Sequence, residues 1–312
     1  MPDDFELAEV ELPEPGADQV LVRNVFMSVD PYMRGRMNDA PSYVPPFELG
    51  EVMYGGAVAE VVSGDDAGAL VVHQLGWREH ALVDARRMKR AAVPDGVPAS
   101  ALLGALGMPG LTAWVGVTDI APVAEGETVF VSAAAGAVGS VAGQIAKARG
   151  CRVIGSAGSP EKVAYVRDEL GFDAAFSHHD DVRAALREAA PDGVDVYFDN
   201  VGGPQLEAVI GRLNTYGRIA LCGAVSQYNA TEPAPGPRNL GLLVGKRARL
   251  RGFIISDHGD RHADFRSEVE GLIAGGRLKL AETVVDGGIE AAPQAFVGML
   301  RGEHLGKVVV RL

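Results

Sequence analysis

The chain has 312 residues, a formal net charge of −12 and two cysteines. Its length allows two domains, and its 47% hydrophobic and 22% charged content is typical of ordinary globular proteins. The negative charge disfavours nucleic acid and acidic membrane surfaces as partners, and two cysteines exclude a disulfide framework or a four-thiolate zinc site. The N-terminus lacks the basic and apolar regions of a signal peptide, so we expect a cytoplasmic protein.

Short β-like segments occupy the chain from Phe5 to about Val93. Pro and Gly separate them, and no long amphipathic helix interrupts them. The segments are Val20–Val29, Gly56–Val62 and His80–Val83. We therefore expect a small, mostly β domain over residues 1–110, with its boundary where Gly and Pro gather.

A turn rich in small residues follows a predicted strand at Thr128–Val131, and a helix with apolar residues at helical spacing follows the turn. Ala134, Gly136 and Gly139 have the spacing G-x-G-x-x-G, with Ala in the first place. Gly136 lets a backbone approach a pyrophosphate, and Gly139 lets the helix pack tightly on the strand. Free N–H groups and the helix dipole favour phosphate at this helix start.

Two other interpretations of this stretch remain open. Residues 128–146 carry no charge and include Gly139-x-x-x-Gly143, a pattern of membrane helices, although their Ala, Gly and Ser content is too weakly apolar to partition well. The glycines could also serve packing alone.

The next predicted strand, Cys151–Ala157, indicates which cofactor is bound. It ends without the Asp or Glu that NAD-binding units place on the ribose 2′-hydroxyl. Lys162 follows in the first turn of a helix begun by Ser159 and Pro160. With a lysine and no carboxylate facing a 2′-phosphate, NADP(H) is the predicted cofactor. The alternative for Lys162 is a solvated helix lysine.

Strands and helices continue to alternate, which predicts a doubly wound parallel sheet of six strands over residues 111–277. The later strands are predicted at Ala174–Phe176, Val194–Asp199, Gly217–Cys222 and Leu250–Ile255, with helices after Ser159, Asp180, Pro204 and His262. Both cysteines are predicted to lie inside buried strands. A loop with three prolines, Ala230–Pro237, cannot join a central strand, and we expect it to border a cleft.

The C-terminal stretch, residues 278–312, predicts a strand at Leu280–Val285, a helix at Ile289–Leu300 and a final strand at Lys307–Leu312. A terminal strand of this kind must pair with another strand. We expect it to complete the β domain.

Six ordered motifs closely resemble those of a known family. They are Ser28–Met37, Gly107–Ala113, Ala133–Ser140, Gly158–Lys162, Phe198–Gly203 and Leu221–Asn229. The sequence resembles, over nearly its whole length, the zinc-independent medium-chain reductases of the leukotriene B4 12-hydroxydehydrogenase and prostaglandin reductase group, which includes curcumin reductase and 2-alkenal reductases. The family's chains begin further upstream, so we expect the first strand of the β domain to be missing here.

The resemblance implies an α/β fold with a GroES-like β domain and an NADPH-binding Rossmann domain, and reduction of a carbon–carbon double bond conjugated to a carbonyl. It carries the family's cofactor contacts to Gly136, Ala137, Val138, Gly139, Lys162, Asn200, Cys222, Gly223, Tyr228, Phe253, Ile254 and Ile255. Two positions depart from the family: His178 replaces a Tyr, and His304 replaces an Asn. Either histidine could keep a hydrogen bond or a stacking face.

No metal site is expected. Zinc-dependent relatives place a Gly-His-Glu motif and a Cys in the β domain, where Phe47–Gly56 has neither His nor Cys. His258 and His262 have metal-like spacing without a third ligand nearby, so we interpret them as a loop-to-helix pair.

Two tyrosines are the candidate catalytic residues. Enone reduction needs a donor on the carbonyl oxygen, where negative charge builds, and a tyrosine stays protonated at neutral pH. Tyr228 follows the carboxyl end of a strand, where open α/β sheets bind ligands; its alternative is a surface loop residue. Tyr32 is predicted with equal weight to contact substrate or to pack within the β domain.

Three functions remain open: an NADPH-dependent enone or enal reductase, an NADPH quinone reductase, and an NADP(H)-binding module without turnover. The apolar stretch Arg249–Ser256 falls last in the predicted sheet and would expose an edge, so we expect a homodimer through the Rossmann domain.

Overall fold

The computed structural model of the chain describes residues 1–232 and 234–312. The chain forms two compact units, one of residues 1–104 with 282–312 and one of residues 105–281. The strands are β1 (Gln19–Ser28), β2 (Ala57–Val61), β3 (Leu70–His73), β4 (His80–Asp84), β5 (Lys89–Arg90), β6 (Thr128–Val131), β7 (Arg152–Ala157), β8 (Ala174–Ser177), β9 (Val194–Asp199), β10 (Leu213–Leu221), β11 (Arg249–Gly252), β12 (Glu282–Val285) and β13 (Lys307–Arg311). The α-helices are α1 (Tyr32–Arg36), α2 (Met108–Val115), α3 (Gly139–Ala148), α4 (Pro160–Ala164), α5 (Val182–Ala189), α6 (Gly203–Arg212), α7 (Leu242–Lys246), α8 (His262–Ala274) and α9 (Ala292–Leu300).

The first unit is built on a mixed sheet whose strands follow the order β12-β13-β1-β2-β3-β5, with β4 also paired to β1. The C-terminal strand β13 runs antiparallel to β1 and parallel to β12. A core beside the sheet buries Met27 and Val310 with Trp77 and Phe296. The prediction that the terminal strand joins the β domain is confirmed.

A buried histidine ties together two loops of the first unit. His73, at the end of β3, is 2% exposed, and its Nε2 lies 2.8 Å from Asn24 Oδ1. Its Nδ1 accepts the N–H of Leu75 at 3.0 Å, while Asn24 Nδ2 donates to the carbonyls of Leu75 and Arg78. These contacts suit a neutral ring with its proton on Nε2. Burial, followed by the charge of Arg78, lowers the pKa of His73 to about 4.

The second unit is an open parallel sheet in the order β11-β10-β9-β6-β7-β8. Its first strand, β6, lies in the middle, so the direction of winding reverses between β6 and β9. The core on one face stacks Phe130 between Phe176 and Tyr197, with ring centroids 5.6 and 5.2 Å apart. The prediction of a six-stranded doubly wound sheet is confirmed for the described residues.

Three details of the second sheet differ from prediction. Strand β11 ends at Gly252 rather than Ile255, because Gly252 lies opposite Leu221, the last residue of its neighbour β10. Strand β10 begins at Leu213, ahead of the predicted Gly217, with a register shift before Arg218. The prediction that both cysteines lie inside strands is wrong: Cys151 directly precedes β7, and Cys222 directly follows β10.

Several short elements were not predicted, among them β3, β5, α1 and α7. Helix α2 was also missed, because it is buried on nearly every side and carries no polar face to mark a helical period. The predicted proline loop Ala230–Pro237 includes residue 233, which lies outside the described residues. None of the helices in the described parts of the chain is long and apolar enough to cross a membrane.

Candidate functional site

The turn between β6 and α3 is shaped to receive a phosphate group. Helix α3 begins at Gly139 without a side-chain cap among the described residues. The N–H of Ser140 donates to the Gly136 carbonyl at 3.0 Å, so the turn itself supplies a backbone acceptor and no side chain covers the helix start. A Cβ on Gly139 would lie 2.3 Å from the carbonyl oxygen of Ala133, whereas one on Gly136 would lie 3.2 Å from the same atom. Gly139 therefore serves packing of the turn, and Gly136 leaves its outer side bare.

The left-handed residue of this turn is Ala133, with φ of 48°. Ala134 has no positive φ, is fully buried, and donates its N–H to the carbonyl of Ser156 at 2.9 Å. The strained backbone conformation is therefore that of Ala133, one residue before the first position of the motif. This explains why that position, a glycine in the general pattern, holds alanine here.

Lys162 and His178 lie together beyond the end of β7, where the sequence predicts the 2′-phosphate side of the cofactor. Lys162 is half-buried in the first turn of α4, and burial lowers its pKa. A Cβ on Gly158 would lie 3.1 Å from the His178 ring. Burial, then the neighbouring His179 and the charge of Lys162, lower the pKa of His178. The residue at this strand end, Ala157, carries no charge to repel a phosphate.

A buried carboxylate organises the carboxyl edge of β9. Asp199 is 0% exposed, and its Oδ1 accepts four hydrogen bonds. The donors are the hydroxyls of Ser132 (3.2 Å) and Tyr197 (2.7 Å) and the N–H groups of Val201 (2.9 Å) and Gly202 (2.8 Å). Burial, followed by the Asp199 charge, raises the pKa of Tyr197. The other oxygen, Oδ2, is buried and has no hydrogen-bond partner among the described residues.

Asp199 and Ser132 join the loops that follow β6, β9 and β10. The N–H of Asn200 donates to Ser132 Oγ at 2.9 Å, and its Nδ2 donates to the Ser132 carbonyl at 2.8 Å. The Asp199 carbonyl accepts the N–H groups of Cys222 at 2.9 Å and Gly223 at 3.1 Å. With its amide nitrogen engaged, Asn200 retains its side-chain oxygen to accept a bond from a ligand.

Tyr228 folds back over the turn that follows β10. Its hydroxyl oxygen accepts the N–H of Ala224 at 3.5 Å, and a Cβ on Gly223 would lie 3.2 Å from the same oxygen. Burial, the largest effect, raises the pKa of Tyr228, and Cys222 adds to it. The hydroxyl is therefore protonated at neutral pH, and because its oxygen accepts a backbone bond, its hydrogen can be donated elsewhere.

The remaining predicted residues fall in three places. Phe253, Ile254 and Ile255 follow β11 directly and are half-buried at the same carboxyl edge of the sheet. His304 belongs to the first unit, where its ring lies beside Gly298 of α9. Tyr32 also belongs to the first unit, as the first residue of α1.

Around Tyr32 the first unit contains features that the sequence did not reveal. Burial, followed by the charge of Asp30, raises the pKa of Tyr32. The Arg36 guanidinium lies over the rings of Phe47 and Tyr54, 3.9 and 4.2 Å from their centroids. Periodicity cannot predict such a stack, because the two rings come from a segment without regular structure.

A buried ion pair fixes the chain just before α1. Lys307, the first residue of β13, is 2% exposed and donates from Nζ to Asp30 Oδ1 at 2.6 Å and to the Val29 carbonyl at 2.9 Å. The last strand of the chain thereby holds the segment that begins with Tyr32. Only the three-dimensional pairing of β1 with β13 brings these groups together.

The site fits a dinucleotide. Within residues 1–232 and 234–312, no side chain caps the helix start behind Gly136, and no group donates to the Asn200 amide oxygen at the next loop. A lysine, Lys162, takes the place of a carboxylate. Residues 1–91 match a family described as the N-terminal domain of oxidoreductase, and residues 137–274 match one described as zinc-binding dehydrogenase. The NADPH-dependent curcumin reductase of Escherichia coli is 45% identical over 322 residues, which cover 100% of this chain and 93% of that protein. The chain belongs to the zinc-independent medium-chain reductases of the curcumin reductase and 2-alkenal reductase group.

Further relatives support the same family membership. The NADP(+)-dependent 2-alkenal reductase of Nicotiana tabacum is 42% identical over 97% of this chain and 89% of its own. The crystal structure of CurA from Vibrio vulnificus in complex with NADPH has a TM-score of 0.93 at 42% identity, covering 98% of this chain and 94% of that one. The family resemblance and the predicted fold class, a GroES-like β domain with a Rossmann sheet, are confirmed.

The description of the second matched family mentions zinc. Within residues 1–232 and 234–312, however, no group of three or more His, Cys, Asp or Glu side chains is placed to hold a metal ion. His258 lies edge-on to Phe253, with ring centroids 6.4 Å apart, and His262 similarly contacts Phe265 at 5.8 Å. These two histidines therefore have packing partners of their own.

Proposed function

We propose that this chain is an NADPH-dependent reductase that transfers hydride to the carbon–carbon double bond of α,β-unsaturated ketones or aldehydes. The observation that carries the proposal is the protonated Tyr228 hydroxyl over the Gly223–Ala224 turn that follows β10, in a chain 45% identical to an NADPH-dependent curcumin reductase. Bound NADPH would supply the hydride, and the residues of the chain bind, orient and protonate.

Each predicted cofactor residue has a role in this proposal. Gly136 to Gly139 and the start of α3 receive the pyrophosphate, while Lys162 and His178 bind the 2′-phosphate side. The nicotinamide half is lined by Asn200, Cys222, Gly223 and Phe253 to Ile255, and His304 replaces the family's asparagine. The hydrogen bonds that fix Asn200 and the Cys222–Gly223 turn support these assignments.

Tyr228 is the proposed hydrogen-bond donor to the substrate. Hydride addition to the β-carbon moves the double-bond electrons onto the carbonyl oxygen, which gains negative charge as the enolate forms. The Tyr228 hydroxyl donates to that oxygen, directly or through the nicotinamide ribose, and the proton that completes the reduced product comes finally from solvent. Tyr32 is the second candidate, since its raised pKa also keeps it a donor.

The organisation of the molecule forms part of the proposal. Residues 111–277 are the NADP-binding domain, and residues 1–110 with 278–312 are the substrate domain. The exposed strand β11 pairs with its copy in a homodimer. Two unpaired cysteines, Cys151 and Cys222, support a location in the reducing cytoplasm.

The test is NADPH oxidation with a panel of enones and enals, followed by analysis of the product. We expect saturated ketones and aldehydes with the carbonyl intact. Consumption of naphthoquinone with no turnover of simple enones would instead indicate a quinone reductase. NADPH binding without oxidation of any of these compounds would refute the enzymatic proposal.

A further inference from the structure

Burial of the Asp199 carboxylate costs desolvation free energy that its hydrogen bonds alone do not offset. All four donors meet on Oδ1, whereas Oδ2 has no partner and the side chain is 0% exposed. No salt bridge to Asp199 occurs among the described residues. A buried charge without a cation is strongly disfavoured unless something compensates for it.

The structural role of Asp199 requires an acceptor rather than a charge. Its Oδ1 binds the N–H groups of Val201 and Gly202, just before α6 begins at Gly203, and the hydroxyls of Ser132 and Tyr197. An asparagine could present the same carbonyl oxygen to these donors, with its NH₂ in the position of Oδ2. The negative charge is therefore the property that the loop connections leave unexplained.

Asp199 lies on the side of the sheet where the nicotinamide half of a dinucleotide binds. It ends β9, the strand that follows the reversal of winding after β6, and doubly wound sheets bind dinucleotides across that point. Its carbonyl holds the Cys222–Gly223 turn, over which Tyr228 folds. The charge thus lies beneath the loops assigned to the nicotinamide.

We propose that the buried Asp199 carboxylate stabilises the positively charged nicotinamide of NADP⁺ relative to the neutral ring of NADPH, and so favours hydride release. This inference rests on the proposed function. Hydride transfer creates a full positive charge on the ring, and a fixed negative charge in a water-excluded site stabilises such a charge as it develops. The compensation that Asp199 lacks in the protein alone is then supplied by the oxidised cofactor.

The experiment compares the dissociation constants of NADPH and NADP⁺, measured by calorimetry, in the wild type and in Asp199→Asn. The variant keeps an acceptor for the four donors and removes the charge. We expect the affinity for NADP⁺ to fall relative to that for NADPH by roughly tenfold, because a unit charge is removed from a site of lower dielectric than water. An unchanged ratio of the two constants, or an equal loss for both forms, would overturn the proposal.

Asp195→Asn is the matched control. Asp195 lies on the same strand, towards its amino end, and accepts bonds from Thr128 N and Asn214 Nδ2, each at 2.8 Å. We expect it to leave the ratio unchanged because it lies at the opposite edge of the sheet. A ratio that moves equally in both variants would indicate a general charge effect and contradict a specific role for Asp199.

Tyr197→Phe keeps the test decisive if Asp199→Asn does not fold. It removes one donor from Oδ1 and retains the ring stacked on Phe130. The less neutralised carboxylate should then favour NADP⁺ over NADPH more strongly than in the wild type, and no shift would count against the proposal. A wild type that binds neither cofactor would refute the proposed function itself, whereas normal binding with unmoved ratios refutes only this inference.

Discussion

The Tyr228 hydroxyl should act mainly in the transition state, because the carbonyl oxygen of the substrate gains its charge only there. Tyr228→Phe keeps the ring over the turn and removes the donor. We expect kcat to fall about a hundredfold if the hydroxyl donates directly to substrate, and by less if it orients the ribose, with little change in NADPH affinity. Tyr216→Phe, at a tyrosine that is 64% exposed, is the control. Unaltered kcat in Tyr228→Phe would shift the donor role to Tyr32.

Lys162 should determine the preference for NADPH over NADH. A charge-assisted bond to a phosphate at a half-buried site contributes about 1.5–3 kcal/mol, or about ten- to a hundredfold in affinity. In a binding titration, Lys162→Ala should therefore lower the affinity for NADPH by that factor and leave the affinity for NADH nearly unchanged. Lys147→Ala, which breaks a surface pair with Asp173 at 2.9 Å, should affect neither cofactor. Equal weakening of both cofactors would exclude a specific contact with the 2′-phosphate.

His73 should make the protein sensitive to mild acid. Its folded pKa of about 4 lies below the ordinary 6.5, so its contribution to stability is complete above pH 6.5 and is lost as the pH falls towards 4. The full loss is on the order of 3 kcal/mol, because protonated Nδ1 would face the N–H of Leu75. Urea unfolding at pH 7 and pH 4.5 measures most of this loss, which is complete only below pH 4.

The control for this pH dependence is the same substitution at a second histidine. His73→Gln removes the titrating group and should flatten the dependence, whereas His80→Gln, at an exposed histidine on β4, should retain it. If both variants kept the wild-type dependence, groups other than His73 would have to account for it.

At the level of elements, substitution of the two glycines of the β6–α3 turn should have different effects, one on stability and the other on NADPH binding. Gly139→Ala would press a methyl group against the Ala133 carbonyl at 2.3 Å, so we expect the free energy of unfolding to fall by about 1–3 kcal/mol. The added methyl group of Gly136→Ala would lie 3.2 Å from the same carbonyl oxygen. This variant should leave thermal stability nearly unchanged while lowering the affinity for NADPH. Melting curves and cofactor titrations on the two variants distinguish these effects. Identical losses in both variants would show that the glycines share one role.

The regular elements could be predicted because their causes are local. Buried parallel strands give short apolar runs, and Ser159 and Asp181 cap their helices with side-chain oxygens, at 3.3 Å for Lys162 N and 3.0 Å for Arg183 N. The end of β11 could not be predicted, since it depends on where β10 stops across the sheet.

In the candidate site, too, local features could be predicted and features that depend on the folded sheet could not. Gly136, Gly139 and Lys162 belong to a contiguous motif with a mechanism attached to its spacing. Asp199 stands in the Phe198–Gly203 motif, but the sequence did not indicate that four donors from two segments would meet on one of its oxygens and leave the other without a partner. Sequence distance conceals such convergence, and only the folded sheet reveals it.

At the scale of the whole molecule, the second sheet has two edges, and β11 forms one of them. All four residues of β11 are exposed, including Leu250. The nearby helix α7 exposes Leu242 at 46% and Val244 at 80%. The outer edge of such a strand, beside apolar side chains, is a surface that proteins normally cover. A second copy of the chain can cover it through a two-fold axis, which pairs β11 with itself.

We therefore expect light scattering at micromolar concentration to give about twice the chain mass of 32.7 kDa. Leu250→Asp places a charge in the paired edge and should shift the mass towards the monomer, because burying an unpaired carboxylate opposes association. Leu49→Asp, at a leucine fully exposed in the first unit, makes the same change away from β11 and should leave the mass unaltered. A wild-type mass near 32.7 kDa would refute the dimer, and a Leu250→Asp variant that stays dimeric would place the interface on another surface.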